Sequence, residues 1–252
     1  MDKLVILGSE DAIPDMEHDT SHMLAITEKR GVLIDCSGST FQKLAELNIS
    51  YESISDVIIT HYHPDHASGL PMLLMDMWLS GRSQELVIHG LEITINKAQA
   101  MMGLYEWESW PGMYPVNFNI LPNENMYPLI SEADLEIYAS PGKHVIPSIG
   151  LLMKFINSSQ SIVYSSDTEP CDSIITLAKG ADVLIHEAAG EVKGHSSGYQ
   201  AAEIAAKASV KNLYLIHYKR EEEALNQMII EGEKVFDGPI NLATDYMEFL
   251  LS

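Results

Sequence analysis

The 252-residue sequence predicts an α/β protein in which two mixed β-sheets face each other and helices cover their outer sides. Three observations carry that reading. Short apolar runs bounded by turn residues recur in both halves of the chain, and helical patterns lie between many of them. No repeat, low-complexity tract or linker divides the sequence, so residues 1–252 read as one domain.

Strands are expected at about 3–8, 22–27 and 31–35, the last ending at Asp35. A helix follows at about 39–47, with Ser39 or Thr40 as its N-cap, because a hydroxyl there can accept from free N–H groups of the first turn. The apolar run Asp56–Thr60 is a strand that delivers His61-Tyr62-His63-Pro64-Asp65-His66 to a loop, where Pro64 cannot continue a ladder. A helix at about 67–80 carries Leu70, Leu73, Leu74 and Met77 on one face, and Leu86–His89 is another strand. Residues 95–114 concentrate Met101, Tyr105, Trp107, Trp110 and Tyr114; a lid, a subunit contact and ordinary core packing all use such residues. The second half adds strands near 116–121, 135–139, 149–156, 160–165, 182–186, 212–217, 239–242 and 246–251, with helices at about 171–179, 198–208 and 221–236.

Composition narrows the function classes. Hydrophobic residues make up 46% of the chain, enough for an ample core, and no apolar run is long enough to span a bilayer. Met1–Gly8 is too short and too weakly basic for a signal peptide and reads as the first strand. Cys36 and Cys171 form no disulfide framework and lack CxxC spacing; both read as buried small hydrophobes in a reducing cytoplasm. Against 36 acidic residues stand 15 lysines and arginines, a formal charge of −21. Affinity for a nucleic-acid backbone comes mainly from counterions displaced at basic patches, so RNA is disfavoured as a partner. A small anion held by metal ions is not.

The hexapeptide organises the chemistry. In an extended segment alternate side chains share a face, so His61 and His63 can point at one ion, and the turn at Pro64 can swing Asp65 and His66 toward a second. Asp65 could instead cap a helix beginning at Ala67. Later strands end in further residues with lone pairs: His144 after 135–139, Asp167 after 160–165, the pair His186-Glu187, and His217. A strand end on a rigid scaffold fixes where a ligand side chain begins, and seven of the ten histidines (61, 63, 66, 144, 186, 195 and 217) fall at or beside such ends. His18 and His22, in the loop Glu10–His22, are expected to be solvated rather than to touch substrate.

The ordered set resembles the metallo-β-lactamase fold superfamily, and within it ribonuclease Z and its phosphodiesterase relatives, over nearly the whole chain. The matching pieces are Leu7-Gly8-Ser9 with Pro14, Leu33-Ile34-Asp35-Cys36, the HxHxDH hexapeptide and Gly69-Leu70-Pro71-Met72-Leu73-Leu74. They continue with His144, Ser166-Asp167-Thr168, His186-Glu187-Ala188, Gly194-His195-Ser196-Ser197 and His217. The resemblance implies an αββα sandwich, a homodimer and two divalent ions. His61, His63 and His144 would hold the first ion, Asp65, His66 and His217 the second, and Asp167 would bridge them. Imidazole and carboxylate donors without thiolate suit zinc, with manganese and iron as alternatives. His195 matches the histidine that protonates the leaving group, with Glu187 orienting it. Asp35 would hold a ligand histidine through its other nitrogen, unless it simply caps the following helix; His186 matches a structural residue.

The chemistry so implied is attack by a hydroxide generated between two ions about 3.5–4 Å apart and oriented by Asp65. A general acid such as His195 is typically worth about 10²–10⁴-fold. Lys219 and Arg220, directly after His217, are candidates for a substrate phosphate, though Arg220 equally suits a salt bridge to Glu221–Glu223. Bacterial ribonuclease Z enzymes carry a long basic arm between the motifs matched here by His144 and Asp167, and only 22 residues separate those positions. The sequence therefore points to a hydrolase of small phosphodiesters, with tRNA 3′-processing as the second choice and a lactonase or thioesterase after it. A di-iron oxidoreductase would lack its flavin domain, and a non-enzymatic sensor would not need every ligand.

Overall fold

The computed structural model describes residues 2–219 and 222–251 and opens with β1 (Asp2–Gly8), β2 (His22–Ile26) and β3 (Gly31–Ile34). Helix α1 (Thr40–Glu46) and β4 (Ile54–Ile58) lead to the hexapeptide, where the short α2 (Pro64–Ala67) begins on Pro64. Next come α3 (Leu70–Leu79), β5 (Leu86–Leu91), α4 (Glu92–Gly103), β6 (Val116–Leu121) and β7 (Tyr127–Ser131). The second half runs through β8 (Leu135–Pro141), β9 (Ile149–Phe155), β10 (Gln160–Tyr164), α5 (Asp172–Leu177) and β11 (Val183–Glu187). It ends with α6 (Gly198–Ala208), β12 (Asn212–Ile216), α7 (Glu222–Gly232), β13 (Ile240–Leu242) and β14 (Glu248–Leu251).

One sheet has the order β14-β1-β2-β3-β4-β5-β6 and the other β13-β12-β11-β10-β9-β8-β7. Both are mixed, as expected: β3 to β6 and β10 to β13 pair in parallel, and the remaining pairs are antiparallel. Alternation along β1 shows how the layers form. Leu4 and Ile6 join an inter-sheet cluster with Ile137, Leu151 and Ile162, whereas Val5 and Leu7 pack with Leu44, Leu70 and Met77 of the helical layer. A third cluster sets Leu184 and Leu215 against Ala201 and Ala205 of α6. Leu151 has no exposed surface, and truncating such a leucine to alanine costs about 2–5 kcal/mol. Strands β3, β4, β8, β10, β11 and β12 all finish at one edge of this sandwich, and that edge carries the site.

Departures from expectation have local causes. Strand β4 ends at Ile58, not Thr60, because the Thr60 N–H is taken by Asp35 Oδ1 (2.8 Å). The helix expected at 67–80 is split at Ser68-Gly69, where the Gly69 N–H bonds Cys36 O (2.9 Å) and a Cβ would stand 3.0 Å from the Ser37 carbonyl carbon. His22, expected in solvent, is fully buried, because it pairs with Gly8 across a register shift that sets it inside the sheet; burial pushes its pKa down to about 4. Cys36 is buried and its thiol is pushed up to about 12, whereas Cys171 precedes α5 and is only half-buried. Residues 95–114 divide: Ile95, Ala98, Met102 and Tyr114 are buried in the core, Trp110 stacks on Trp78 with 5.0 Å between ring centroids, and Leu104 and Tyr105 are exposed. Among the described residues no helix is long and apolar enough to cross a membrane.

Candidate metal centre

Both sheets contribute to the site. The first supplies the hexapeptide, which follows β4; the second supplies His144 after β8, Asp167 after β10, Glu187 at the end of β11 and His217 after β12. At two of these strand ends, and at the end of β3, a non-glycine residue is left-handed: Ser166 (φ 52°), His217 (φ 56°) and Asp35 (φ 60°). Such backbone is costly for an L-residue and persists where the surroundings enforce it. At His217 the enforcement is visible, since its N–H is held by Ser9 O (2.9 Å).

The donor atoms form two groups. His63 Nδ1 lies 3.1 Å from both His61 Nε2 and His144 Nε2. Asp65 Oδ2 lies 3.4 Å from both His66 Nε2 and His217 Nε2. Asp167 stands between them: Oδ2 is 3.6 Å from His61 and 3.9 Å from His144, while Oδ1 is 3.5 Å from His66 and 3.6 Å from His217. Within each group, and with Asp167 added to the first, the donor atoms lie within 4.8 Å of one another and could hold a metal ion.

Remote nitrogens decide which lone pairs face inward. His144 Nδ1 donates to Gly194 O (2.6 Å), His66 Nδ1 to Asp35 Oδ2 (2.8 Å), and His61 Nδ1 lies 3.3 Å from Thr60 Oγ1. Each contact leaves Nε2 as the inward nitrogen. His66 Nε2 and Asp167 Oδ1 are buried without a hydrogen-bond partner. Imidazole nitrogens this close repel unless a proton or cation sits between them, so the donor set fits divalent ions. Asp35 does not cap α1, which starts after Ser39; its oxygens take the Thr60 N–H, the Thr60 hydroxyl (2.9 Å) and His66.

The protein's own charges point the same way. Burial opposes the charged form of His217, but Asp167 and the bond to Asp65 push its pKa up to about 9. Burial is likewise outweighed at His66 by Asp167 and Asp35, which raise it well above the usual histidine value. His61 moves the other way, held well below that value by burial and by the charge on His66. Asp167, although buried, is held far below the usual carboxylate range by His217 and His66. The carboxylates thus collect positive charge as protons, which a divalent cation would displace.

His195 flanks both groups. Its ring stacks on His217 (centroids 5.8 Å) and meets His144 edge-on (4.9 Å). Its Nδ1 donates to Glu187 Oε1 (3.1 Å), which raises its pKa. Glu187 is fully buried: Oε1 also accepts from Thr168 N (3.1 Å) and Ser196 N (3.0 Å), and Oε2 from Ala189 N (2.9 Å). A capping box between Ser197 and Gln200 starts α6 just beyond, fixing the far side of the loop.

Other residues singled out by sequence are dispersed. Lys219 is exposed, and Arg220 lies outside the described residues. His186 is buried with Nδ1 on Glu187 O (2.8 Å) and no partner for Nε2. His18 is half-buried and bonds Asp15 (2.9 Å). A surface cleft of about 700 Å³ lined by Gln99, Trp107 and Phe118 contains none of the donors, so ligand chemistry rather than volume marks this site. Sequence reasoning gave no role to Thr60 or Ser166: their hydroxyls bond each other (2.8 Å), and that of Thr60 lies between Asp35 and His61.

The profile of the family described as Anti-Pycsar protein Apyc1 matches residues 2–236. A protein named Ribonuclease Z from Parabacteroides distasonis is 27% identical over 290 aligned positions, covering 93% of this chain and 94% of that one. Among solved structures, the metallo-β-lactamase fold protein YhfI of Bacillus subtilis superposes with a TM-score of 0.82 at 21% identity, covering 98% of each chain. The short form of human tRNase Z gives 0.77 at 24% identity, covering 99% of each. The fold is therefore that of the metallo-β-lactamases.

Proposed function

This chain belongs to the anti-Pycsar protein Apyc1 family, and from that footing we propose a metal-dependent phosphodiesterase of ribonuclease Z-like type that acts on small phosphodiesters. The observation that carries the proposal is Asp167, whose two oxygens face two separate donor groups while His195 stands 3.9 Å from Oδ2. His61, His63 and His144 would hold one divalent ion, Asp65, His66 and His217 the other, and zinc suits these donors. Held there, such ions supply Lewis acidity toward a phosphoryl oxygen and acidify water for the attack.

The remaining roles belong to the chain. Asp65 is partly exposed and ionised, its pKa lowered by the bond from His217 against the effect of burial, so it orients the attacking water by accepting its hydrogen bond. His195 presents Nε2 to the departing oxygen as proton donor, and Glu187 keeps the opposite nitrogen protonated and the ring in place. An alkoxide is a poor leaving group, so the diester gains most from this acid.

The substrate's size follows from what lies between His144 and Asp167. That segment is consumed by β9, the turn at 156–159 and β10, with no arm to grip an extended RNA. The charge of −21 supports the same choice. Precursor tRNA is the second reading, supported by the relatives' names. A homodimer, expected from the family resemblance, completes the proposal; light scattering that reads a monomer would remove that part. Turnover of bis-p-nitrophenyl phosphate, a lactone, a thioester and precursor tRNA tests the function. Diester cleavage is expected; efficient cleavage of the carbonyl substrates alone would overturn it, and of precursor tRNA would replace it.

A further inference from the structure

His195 sits on a loop whose tip is bonded to the body of the protein through Gly194. Inside the loop, Gly190 N donates to Ser196 O (3.0 Å), Val192 N to Gly190 O (2.8 Å) and His195 N to Val192 O (3.0 Å). Both polar backbone groups of Gly194 point outward. Its carbonyl accepts from His144 Nδ1 (2.6 Å), and its N–H donates to Glu169 Oε1 (3.0 Å). Glu169 is anchored in turn to the strand end that carries His144: its N–H bonds Lys143 O (2.7 Å) and its Oε2 pairs with Lys143 Nζ (2.6 Å).

These bonds close a ring from Lys143 through His144, Gly194 and Glu169 back to Lys143. The ring is tight at Gly194, where φ is +91° and a Cβ would stand 2.9 Å from His144 Nδ1. The peptide joining Gly194 to His195 is thereby held at both ends, its oxygen by His144 and its N–H by Val192 O. The Glu169 carboxylate holds the preceding peptide, and a hydrogen bond to an ionised acceptor is about twice as strong as a neutral one.

We infer that Glu169 is a positioning residue: by holding the Gly194 N–H it sets the direction of His144 and the placement of His195 together. Its structural consequence stands on the bonds above, and its kinetic consequence rests on the phosphodiesterase reading. A carboxylate that touches neither substrate nor donor atoms would then couple one ligand of the first donor group to the proton donor.

The test compares full-length, zinc-loaded Glu169→Ala, Glu169→Met and Glu169→Gln. Alanine and methionine remove the acceptor, methionine with the volume kept, while glutamine retains an oxygen for the Gly194 N–H. Three measurements follow: amide hydrogen exchange over 190–197, zinc affinity by chelator competition, and kcat and KM for p-nitrophenyl and unsubstituted phenyl diesters. Loss of the acceptor is expected to speed exchange, to weaken one zinc equivalent by about 10–100-fold, and to lower kcat far more for the phenyl ester, whose leaving group needs the acid, with KM little changed. Glutamine should restore most of each. Wild-type exchange, affinity and kcat ratio in folded Glu169→Met, or equal loss in Met and Gln variants, overturns the inference. If Glu169→Ala does not fold, Glu169→Met decides. If the wild type cleaves neither diester the phosphodiesterase reading fails, yet exchange and zinc affinity still judge Glu169.

Discussion

Replacing Asp35 by asparagine should weaken one metal equivalent and spare the other. Asp35 is fully buried and serves three donors: the Thr60 N–H on Oδ1, and the Thr60 hydroxyl and His66 Nδ1–H on Oδ2. Asparagine tolerates the left-handed backbone found there, so the change adds no strain. It offers one oxygen instead of two. With that oxygen toward Thr60 N–H, the amide NH₂ faces His66 Nδ1, which must then accept and carry its proton on Nε2, the nitrogen aimed at Asp65 and Asp167. The opposite orientation sets two N–H groups against each other at Thr60. Either way a buried donor is left unpaired, which costs about 1–3 kcal/mol of stability. Loss of such a support typically lowers metal affinity about 10–100-fold, or about 1.4–2.7 kcal/mol. Chelator-competition titration with zinc reads the affinities, and urea unfolding in excess chelator reads the stability. Two equivalents of wild-type affinity in folded Asp35→Asn would refute the assignment of Asp35 as the support of His66.

Three further outcomes are expected. His195→Ala should lower kcat for a phenyl diester by about 10²–10⁴-fold while zinc stoichiometry stays unchanged; wild-type kcat in the two-zinc variant removes the acid role. With the His217 pKa at about 9, that imidazole is protonated at neutral pH, so zinc binding releases its proton and affinity rises with pH until about 9. Calorimetry in buffers of different ionisation enthalpy shows the release, and a buffer-independent enthalpy argues against it. Far from the centre, Asp56 resists the effect of burial and keeps a lowered pKa because of its bond to His89 (2.8 Å). A depressed folded pKa stabilises above the unfolded value of about 3.9 and loses that contribution as pH falls through the folded value. The stability gap between wild type and Asp56→Asn should therefore close on acidification below pH 4; a gap constant with pH contradicts it.

Legibility in the sequence tracked the range of the interactions. Strand β6 and helix α6 fell at 116–121 and 198–208 as read, because their patterns and the Ser197 cap are local. Strand β7 was missed, since Pro128 interrupts its pattern and only the edge position beside β8 makes that proline tolerable. Helix α4 was missed although its buried Ile95, Ala98 and Met102 keep helical spacing, because polar residues and alanines between them dilute the pattern. All seven donor residues could be named from strand ends and resemblance, and the structure gathers them. What spacing could not reveal is support: the bonds from Asp35 to His66 and from Glu169 to Gly194 span 31 and 25 residues and depend on how loops dock. His22 misled for a related reason, being a polar residue whose burial follows from register with Gly8.

The division of the donors between two sheets bears on how the protein matures. Asp65 and His217 meet although 152 residues separate them, so the site exists only after both halves have docked. During synthesis the hexapeptide emerges first, with enough donors to capture an ion but not to enclose one. Completion waits for β12, nearly the last strand made. A metal ion could therefore be enclosed only by the finished fold, and one caught early would be held by a fragment still able to release it. Supplying chelator before or after the last strands are translated should separate the two cases: the nascent chain yields its metal readily, the finished one slowly.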